Sequence, residues 1–289
     1  MKGKAIVTIV LGDAYQKNFR EHCFFNWKGY ADKHGYDLLI FDKPLDTSIR
    51  AEERSPSWQK CLVFKQPTVM SYEQVVWIDS DVLINANNSP CICEAVPLEK
   101  VGAVNQAVVP TPEENRAYSR RMLEYSEQAG IPYFDDQKAG EFYSSFGIST
   151  NFDSVVQAGV MVVSPECHSD IFVRTYTEYE DRGGVIWNYE MRPLSYELLK
   201  EDVVHWIDNR FNRIWAFEKI IHYPFLLKGQ SIFSLFAKGL GRQQFFESFE
   251  ILMKKCATVA YLNAFFLHFA GSQHEMQFVD TSATSIFQL

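Results

Sequence analysis

Basic side chains are scarce in this sequence: 28 lysines and arginines face 36 aspartates and glutamates, a net charge of −8 over 289 residues. A nucleic-acid partner needs a basic footprint to displace counterions from a phosphate backbone, so that class of function is set aside. An anionic ligand would instead need a metal or local backbone dipoles. Long apolar runs are missing too. The amino-terminal run Ala5–Leu11 (AIVTIVL) is rich in β-branched residues and far shorter than a bilayer span, and no cleavage site follows it. It reads as a buried strand, not as a signal peptide or an anchor. Six cysteines occur without any Cys-x-x-Cys pair, and Cys91-Ile92-Cys93 stands alone, which gives no zinc framework. Reduced thiols are expected, and with them a cytoplasmic protein, at most peripheral to a membrane. No internal repeat or low-complexity stretch divides the chain, so one domain over 1–289 is expected.

What is abundant is apolar and aromatic: hydrophobic residues make up 47% and aromatics 15%, with 23 Phe, 14 Tyr and 6 Trp. That suits a sizeable core, and it also suits stacking on bases or sugars. The pattern along the chain is alternating. A strand over 5–11 ends at Gly12-Asp13, and a helical spacing of Phe19, Cys23, Trp27 and Tyr30 runs to Gly35. Asp37–Phe41 then returns as a strand. This opening β-α-β unit implies a parallel sheet with a right-handed crossover. Residues 42–57 read as a polar loop and 58–70 as mostly helical, with Pro67 interrupting or ending the helix. Gln74–Ile78 reads as the third strand. Further strands are expected at 101–104, 155–163 and 203–207, and helices at 113–128, 167–181 and 186–200. A Gly/Ser-rich loop is expected over 133–153. A helical, aromatic stretch covers 225–262, with Phe233, Phe236, Leu240, Phe245, Phe249 and Leu252 recurring. The fold class expected is α/β: a Rossmann-like mixed, mostly parallel central sheet flanked by helices, with a helical carboxyl-terminal region.

The strongest chemical signal is Val75-Val76-Trp77-Ile78-Asp79-Ser80-Asp81. An apolar strand delivers two carboxylates to its carboxyl end, where ligands bind in open α/β sheets. Neighbouring carboxylates repel unless a cation neutralises them, and Mn²⁺ or Mg²⁺ bridging to a diphosphate would do so. The same string also serves as a turn or helix cap. A second signal is His268, which ends the apolar run Phe265-Phe266-Leu267 three residues before Gly271, where glycine lets a backbone approach a ligand. A neutral imidazole, two carboxylates and diphosphate oxygens complete an octahedral shell. The metal ligands expected are therefore Asp79, Asp81 and His268.

In order, Trp58-x-Lys60, Trp77-Ile78-Asp79-Ser80-Asp81, Ala158-Gly159-Val160 and His268-x-x-Gly271 resemble the nucleotide-diphospho-sugar transferases of the A-type glycosyltransferase fold. The pattern is most similar to the galactosyl/xylosyltransferase family 34 and the glycogenin-like family 8. Trp206–Asn212 resembles their short Asn-containing stretch. The resemblance runs over roughly 5–274 as scattered motifs. It implies a metal-dependent transfer of sugar from a nucleoside-diphosphate donor, UDP-linked in these families, to a glycan, small-molecule or lipid hydroxyl. A nucleotide-binding half over about 1–105 and an acceptor half over 106–289 follow from it. Asp81 would ligate the metal directly, while Asp79 would contact the ribose or a metal-bound water, with Ser80 beside it. Thr8, Val10, Gly12 and Tyr15 would hold the nucleoside. Lys60 and Arg54 would counter the diphosphate, Gln157 would touch the donor sugar, and Glu190 or Asp208 would face the acceptor. Gly271 and His274 would close on the leaving phosphates. The chain departs from family 8 in having His274 at the lysine position of His-x-x-Gly-x-x-Lys, and Gln157 where asparagine is usual.

Both families retain anomeric configuration, so retention is the inferred outcome. Inversion would require Glu190 or Asp208 as general base. Two rival readings share the strand-end carboxylates: a metal-dependent nucleotidyltransferase or phosphohydrolase, and a non-catalytic sugar-nucleotide-binding protein of the same fold.

Overall fold

A computed structural model of the chain describes residues 2–108, 111–129, 138–182, 189–227 and 242–288. The main sheet has six strands: β1 Lys2–Ile9, β2 Tyr36–Phe41, β3 Tyr72–Ile78, β5 Val101–Asn105, β6 Val156–Val163 and β7 Val204–Trp206. Their order is β2-β1-β3-β6-β5-β7. The β1–β2, β1–β3 and β5–β7 ladders are parallel, whereas β6 runs antiparallel to both β3 and β5. The sheet is thus mixed and mostly parallel, as the alternating pattern implies. Strands β1, β3 and β5 all point their carboxyl ends to one edge, and β6 brings its amino end there.

Strands buried on both faces read as continuous apolar runs. In β3, Val75 and Trp77 pack into one core layer, and Val76 and Ile78 into the other. In β6 this parity changes: Val156 and Ala158 share a layer with Met161 and Val163, while Val160 and Val162 face the opposite one. The ladder to β5 shifts register at the same place, pairing Ala103 with Met161 but Val104 with Gln157. Residues 158–160 form a bulge, the device that re-aims side chains beside functional sites.

Helices cover the faces. The first follows Gly12 as Asp13–Asn18, passes through a π-helical turn at Phe19–Cys23 and continues as Phe24–His34. It ends where Gly35 takes the left-handed conformation at φ 72°, as expected of a helix-terminating glycine. Longer helices follow at Pro112–Ala129, Pro165–Glu178, Met191–Lys200, Trp215–His222 and Arg242–Asn263. Pro193 sits in the first turn of its helix, where a missing N–H costs nothing.

The structure corrects several local expectations. The 42–57 loop contains a helical turn at Ile49–Glu52 and the start of a 3-10 turn at Pro56–Gln59. The helical stretch over 58–70 is interrupted before Pro67, as expected, and Pro67 begins the new turn Pro67–Met70, because its fixed φ suits a first helical position. The 133–153 loop contains the helix Ala139–Ser144. The expected helical positions Phe233, Phe236 and Leu240 lie outside the described residues, whereas Phe249 and Leu252 pack against one core layer. Among the described residues no helix is long and apolar enough to cross a membrane.

A second, three-stranded sheet has no forerunner in the pattern reading. It joins β4 Val82–Ile84, β9 Phe266–His268 and β8 Arg213–Ile214 in the order β4-β9-β8.

Candidate metal centre

The small sheet is what brings the distant motifs together. Strand β4 starts one residue after Asp81 and pairs antiparallel with β9, placing Val82 directly opposite His268. The Asp81 carbonyl accepts from the Phe269 N–H at 2.8 Å, and the Asp79 N–H donates to the Gly159 carbonyl at 2.8 Å. Asp79 therefore leaves β3 against the bulge of β6, and Asp81 leaves it against the end of β9.

One oxygen each from Asp79 and Asp81 and a nitrogen of His268 all lie within 4.8 Å of one another. His268 Nε2 stands 3.2 Å from Asp81 Oδ1 and 3.8 Å from Asp79 Oδ2. Asp79 is also held from its other side: Trp77 Nε1 donates to its Oδ1 at 2.8 Å, and Lys60 Nζ lies 3.0 Å from the same oxygen. Lys60 is buried, and its ammonium reaches the Glu190 carboxylate at 2.8 Å and the Ala158 carbonyl at 3.3 Å. Three carboxylates against one ammonium leave two negative charges when the imidazole is neutral.

A relay of hydrogen bonds sets the imidazole. The Gly159 N–H can only donate, and it donates to Gln157 Oε1 at 2.6 Å. That oxygen therefore also accepts from Asn212 Nδ2 at 2.9 Å. Asn212 must then present Oδ1 to His268 Nδ1, 3.0 Å away, and Nδ1 must carry the hydrogen. Nε2 is the nitrogen left for the acidic pair. Gly159 supplies the space as well: a Cβ there would meet His268 Cε1 at 2.4 Å and Nδ1 at 2.7 Å.

The titration behaviour follows from burial and charge. Burial alone pushes the His268 pKa down, but Asp81 and then Asp79 outweigh it and hold it above the ordinary histidine value. Burial pushes Asp81 up, yet His268 outweighs that and its carboxyl titrates below the usual range. Asp79 is raised by burial, reinforced by the charges of Asp81 and Glu190 against the opposing pull of Lys60 and His268. With its proton on Nε2, the imidazolium bridges the two carboxylates. Asp79, Asp81 and His268 would hold a divalent cation in place of that proton, offering two oxygens and one imidazole nitrogen of the kind Mn²⁺ or Mg²⁺ accepts. The donor set, its charge and its tautomer all fit such an ion.

No protein-family model matches the chain, and no curated protein matches its sequence. Among solved structures it is similar to a glycosyltransferase involved in the glycosylation of the major capsid of PBCV-1. There the identity is 15%, over 94% of this chain and 97% of that one, with a TM-score of 0.48. It is similar to the WbbM bifunctional glycosyltransferase at 13% identity, over 99% of this chain and 51% of that one, TM-score 0.45. It is also similar to the galactosyltransferase LgtC, solved with donor and acceptor sugar analogues, at 10% identity over 93% and 87% of the two chains, TM-score 0.41.

The other residues singled out from the sequence scatter around this centre. Gln157 belongs to the relay, and Glu190 and Lys60 form a buried pair touching Asp79. Burial pushes the Glu190 carboxyl up, but the Lys60 ammonium outweighs it and the group stays below its ordinary range. Arg54 is occupied elsewhere: its guanidinium donates to the carbonyls of Tyr176 and Tyr179, pairs with Glu180 at 3.0 Å and lies over the Trp58 ring. Asp208 caps the turn Asn209–Asn212 and pairs with Arg210 at 2.6 Å, which helps hold its carboxyl below the usual range. Thr8 is fully buried, with no hydrogen-bond partner for its hydroxyl among the described residues, and Val10 is buried in the core. Gly12 (φ 86°) precedes the first helix, on which Tyr15 is half exposed. The Ser80 carbonyl accepts from the Cys23 thiol at 3.3 Å. Gly271 takes a left-handed turn (φ 67°) after β9, and His274 projects to solvent with 74% of its side chain exposed.

Trp77, Gly159 and Asn212 lie inside the quoted motifs but drew no individual role from the sequence. Beyond the Asn-containing stretch to which it belongs, Asn212 carried no signal of its role, because its partners Gln157 and His268 are each about 55 positions away.

Proposed function

We propose that this chain is a metal-dependent glycosyltransferase that moves a sugar from a nucleoside-diphosphate donor, with UDP as the nucleotide, to an acceptor hydroxyl. The observation that carries the reading is the meeting of Asp79 and Asp81, at the carboxyl end of β3, with the Nε2 of a tautomer-fixed His268. When bound, Mn²⁺ or Mg²⁺ supplies Lewis-acid neutralisation of the charge that develops on the departing nucleoside diphosphate. Residues 1–105 form the donor half and 106–289 the acceptor half. Thr8, Gly12 and Tyr15 lie on the nucleoside side, and Gly271 and His274 on the diphosphate side.

The chain's own groups favour retention. A general base needs a free carboxylate whose pKa is near the working pH. Glu190 is tied to Lys60 and Asp208 to Arg210, and both titrate low. With neither positioned to take the acceptor proton, attack from the face of the departing diphosphate is the reading this arrangement supports. Gln157 then acts mainly by positioning, since its oxygen is committed to Gly159 and Asn212. The six cysteines are free thiols, five of them buried, which suits a reducing compartment, and we place the protein in the cytoplasm.

The test is a panel of UDP- and GDP-sugars with Mn²⁺, reading released nucleotide with and without simple glycoside acceptors. We expect nucleoside diphosphate from at least one donor, at a rate lowered at least 100-fold in Asp81→Ala while the far-UV circular dichroism is unchanged. Pyrophosphate as product would point to nucleotidyl transfer. Near-normal turnover in the variant would reject the metal assignment.

A further inference from the structure

Two strands beyond the metal centre, the same sheet edge carries a groove of about 260 Å³. Val104, Asn105 and Val108 line it from the end of β5, and Trp206, Ile207 and Asn209 from the end of β7. It opens where the β5–β6 register breaks, so the bulge that places Gly159 against His268 also shapes this groove. The two sites are linked through the backbone. Val104 pairs with Gln157, and Asn209 starts the turn that ends in Asn212, the residue that orients His268.

The strand order sets the spacing. Neighbouring strands lie roughly 4.8 Å apart, so a groove between β5 and β7 sits on the order of 10–14 Å along the edge from Asp79. It lies on the opposite side of β3 from β1 and β2. A donor whose nucleoside occupied the β1–β2 end and whose diphosphate lay at Asp79 and Asp81 would direct its sugar toward β6 and this groove.

The lining has a mixed character. Trp206 is 39% exposed and Val108 42% exposed, which leaves apolar surface open beside polar groups. Asn105 is fixed, because its Oδ1 accepts from the N–H groups of Ala107 and Val155 at 3.0 and 3.1 Å. Its Nδ2 is thereby the donor that remains. A pyranose ring has the matching chemistry, with one face of C–H groups for an indole and a rim of hydroxyls for an amide.

We propose that this groove is the acceptor subsite, with Trp206 the platform on which an acceptor pyranose stacks and Asn105 a hydroxyl-binding group that orients it. The assignment deepens the glycosyltransferase reading and rests on it. It makes Trp206 a specificity-determining residue for acceptors that expose an uninterrupted C–H face.

Saturation-transfer NMR on the full chain tests this with methyl glycosides of glucose, galactose, mannose and xylose as probes. We expect saturation of one ring face for at least one glycoside. We expect its binding to weaken roughly tenfold in Trp206→Ala, the scale of one aromatic stacking contact, and to stay within about threefold in Trp206→Phe. Metal-dependent nucleotide release from the donor panel is measured on the unmodified protein in parallel. Release together with glycoside binding that ignores Trp206, or with no binding at all, overturns the groove assignment and leaves glycosyl transfer standing. Absence of release from every donor overturns the transferase reading, whatever the glycosides do.

Discussion

Substituting Gly159 by alanine probes the centre without touching a ligand. Gly159 has an ordinary backbone φ, so alanine brings no conformational strain of its own; the cost is entirely one of space. The added Cβ would stand 2.4 Å from His268 Cε1, 2.7 Å from Nδ1 and 2.9 Å from Gln157 Oε1. Carbon atoms settle at about 3.5 Å or more, so the ring must retreat by roughly 1 Å. His268 is 3% exposed and has little room to do so. A retreat lengthens the 3.0 Å bond to Asn212 or draws Nε2 from its 3.2 Å position beside Asp81. Disturbing a ligand's outer support typically weakens metal binding about 10–100-fold, or roughly 1.4–2.7 kcal/mol. Overpacking itself costs about 1–3 kcal/mol of stability, so the variant should fold with a lowered melting temperature. Titration of free Mn²⁺ by electron paramagnetic resonance reads the affinity. Gly140→Ala, where a Cβ meets nothing within 4 Å, serves as the control. A Gly159→Ala protein that binds Mn²⁺ within twofold of the unmodified chain would refute the cradle argument.

Two further outcomes follow from the same relay. Asn212→Ala removes the acceptor that keeps the proton on Nδ1, so Mn²⁺ affinity should drop about tenfold by the same titration, with Asp79 and Asp81 intact. An unchanged affinity would mean that the tautomer is set elsewhere. The pH dependence has opposite signs with and without metal. The folded-state pKa of His268 lies above its unfolded value, so the stability it contributes is complete below about 6.5 and is lost as pH rises through the raised folded pKa. In EDTA, the His268 contribution to the melting temperature should decline across that interval. In excess Mn²⁺ the trend should reverse, because the ion requires the deprotonated nitrogen. Thermal scans from pH 6 to 9 in both conditions, compared with His268→Gln, isolate the effect. A metal-independent slope would contradict it.

Much of the sheet could be read from the chain because its central strands are buried on both faces and announce themselves as apolar runs, bounded by turns such as Gly12 and the acidic pair. The order of those strands could not. Strand β6 inserts between β3 and β5 in antiparallel sense, a choice governed by non-local pairing that leaves no periodic trace. Short elements were misjudged where a polar stretch folds into single turns, as at Ile49–Glu52. The three-residue strands β4 and β9 are too brief to carry an alternation at all.

The candidate centre divides along the same line. Asp79 and Asp81 are local facts: a strand ends, two carboxylates follow, and their mutual repulsion asks for a cation wherever the strand lies. That much belongs to the sequence alone, together with the expectation that His268 ends an apolar run. Which nitrogen His268 presents was decided only in three dimensions, by a chain of donors from Gly159 through Gln157 to Asn212. The commitment of Lys60 to Asp79 and Glu190, and of Arg54 to Glu180, was decided there too. A charge carries its sign along the backbone, but its partner is chosen by proximity, and proximity between residues far apart in the chain exists only after the sheet has closed.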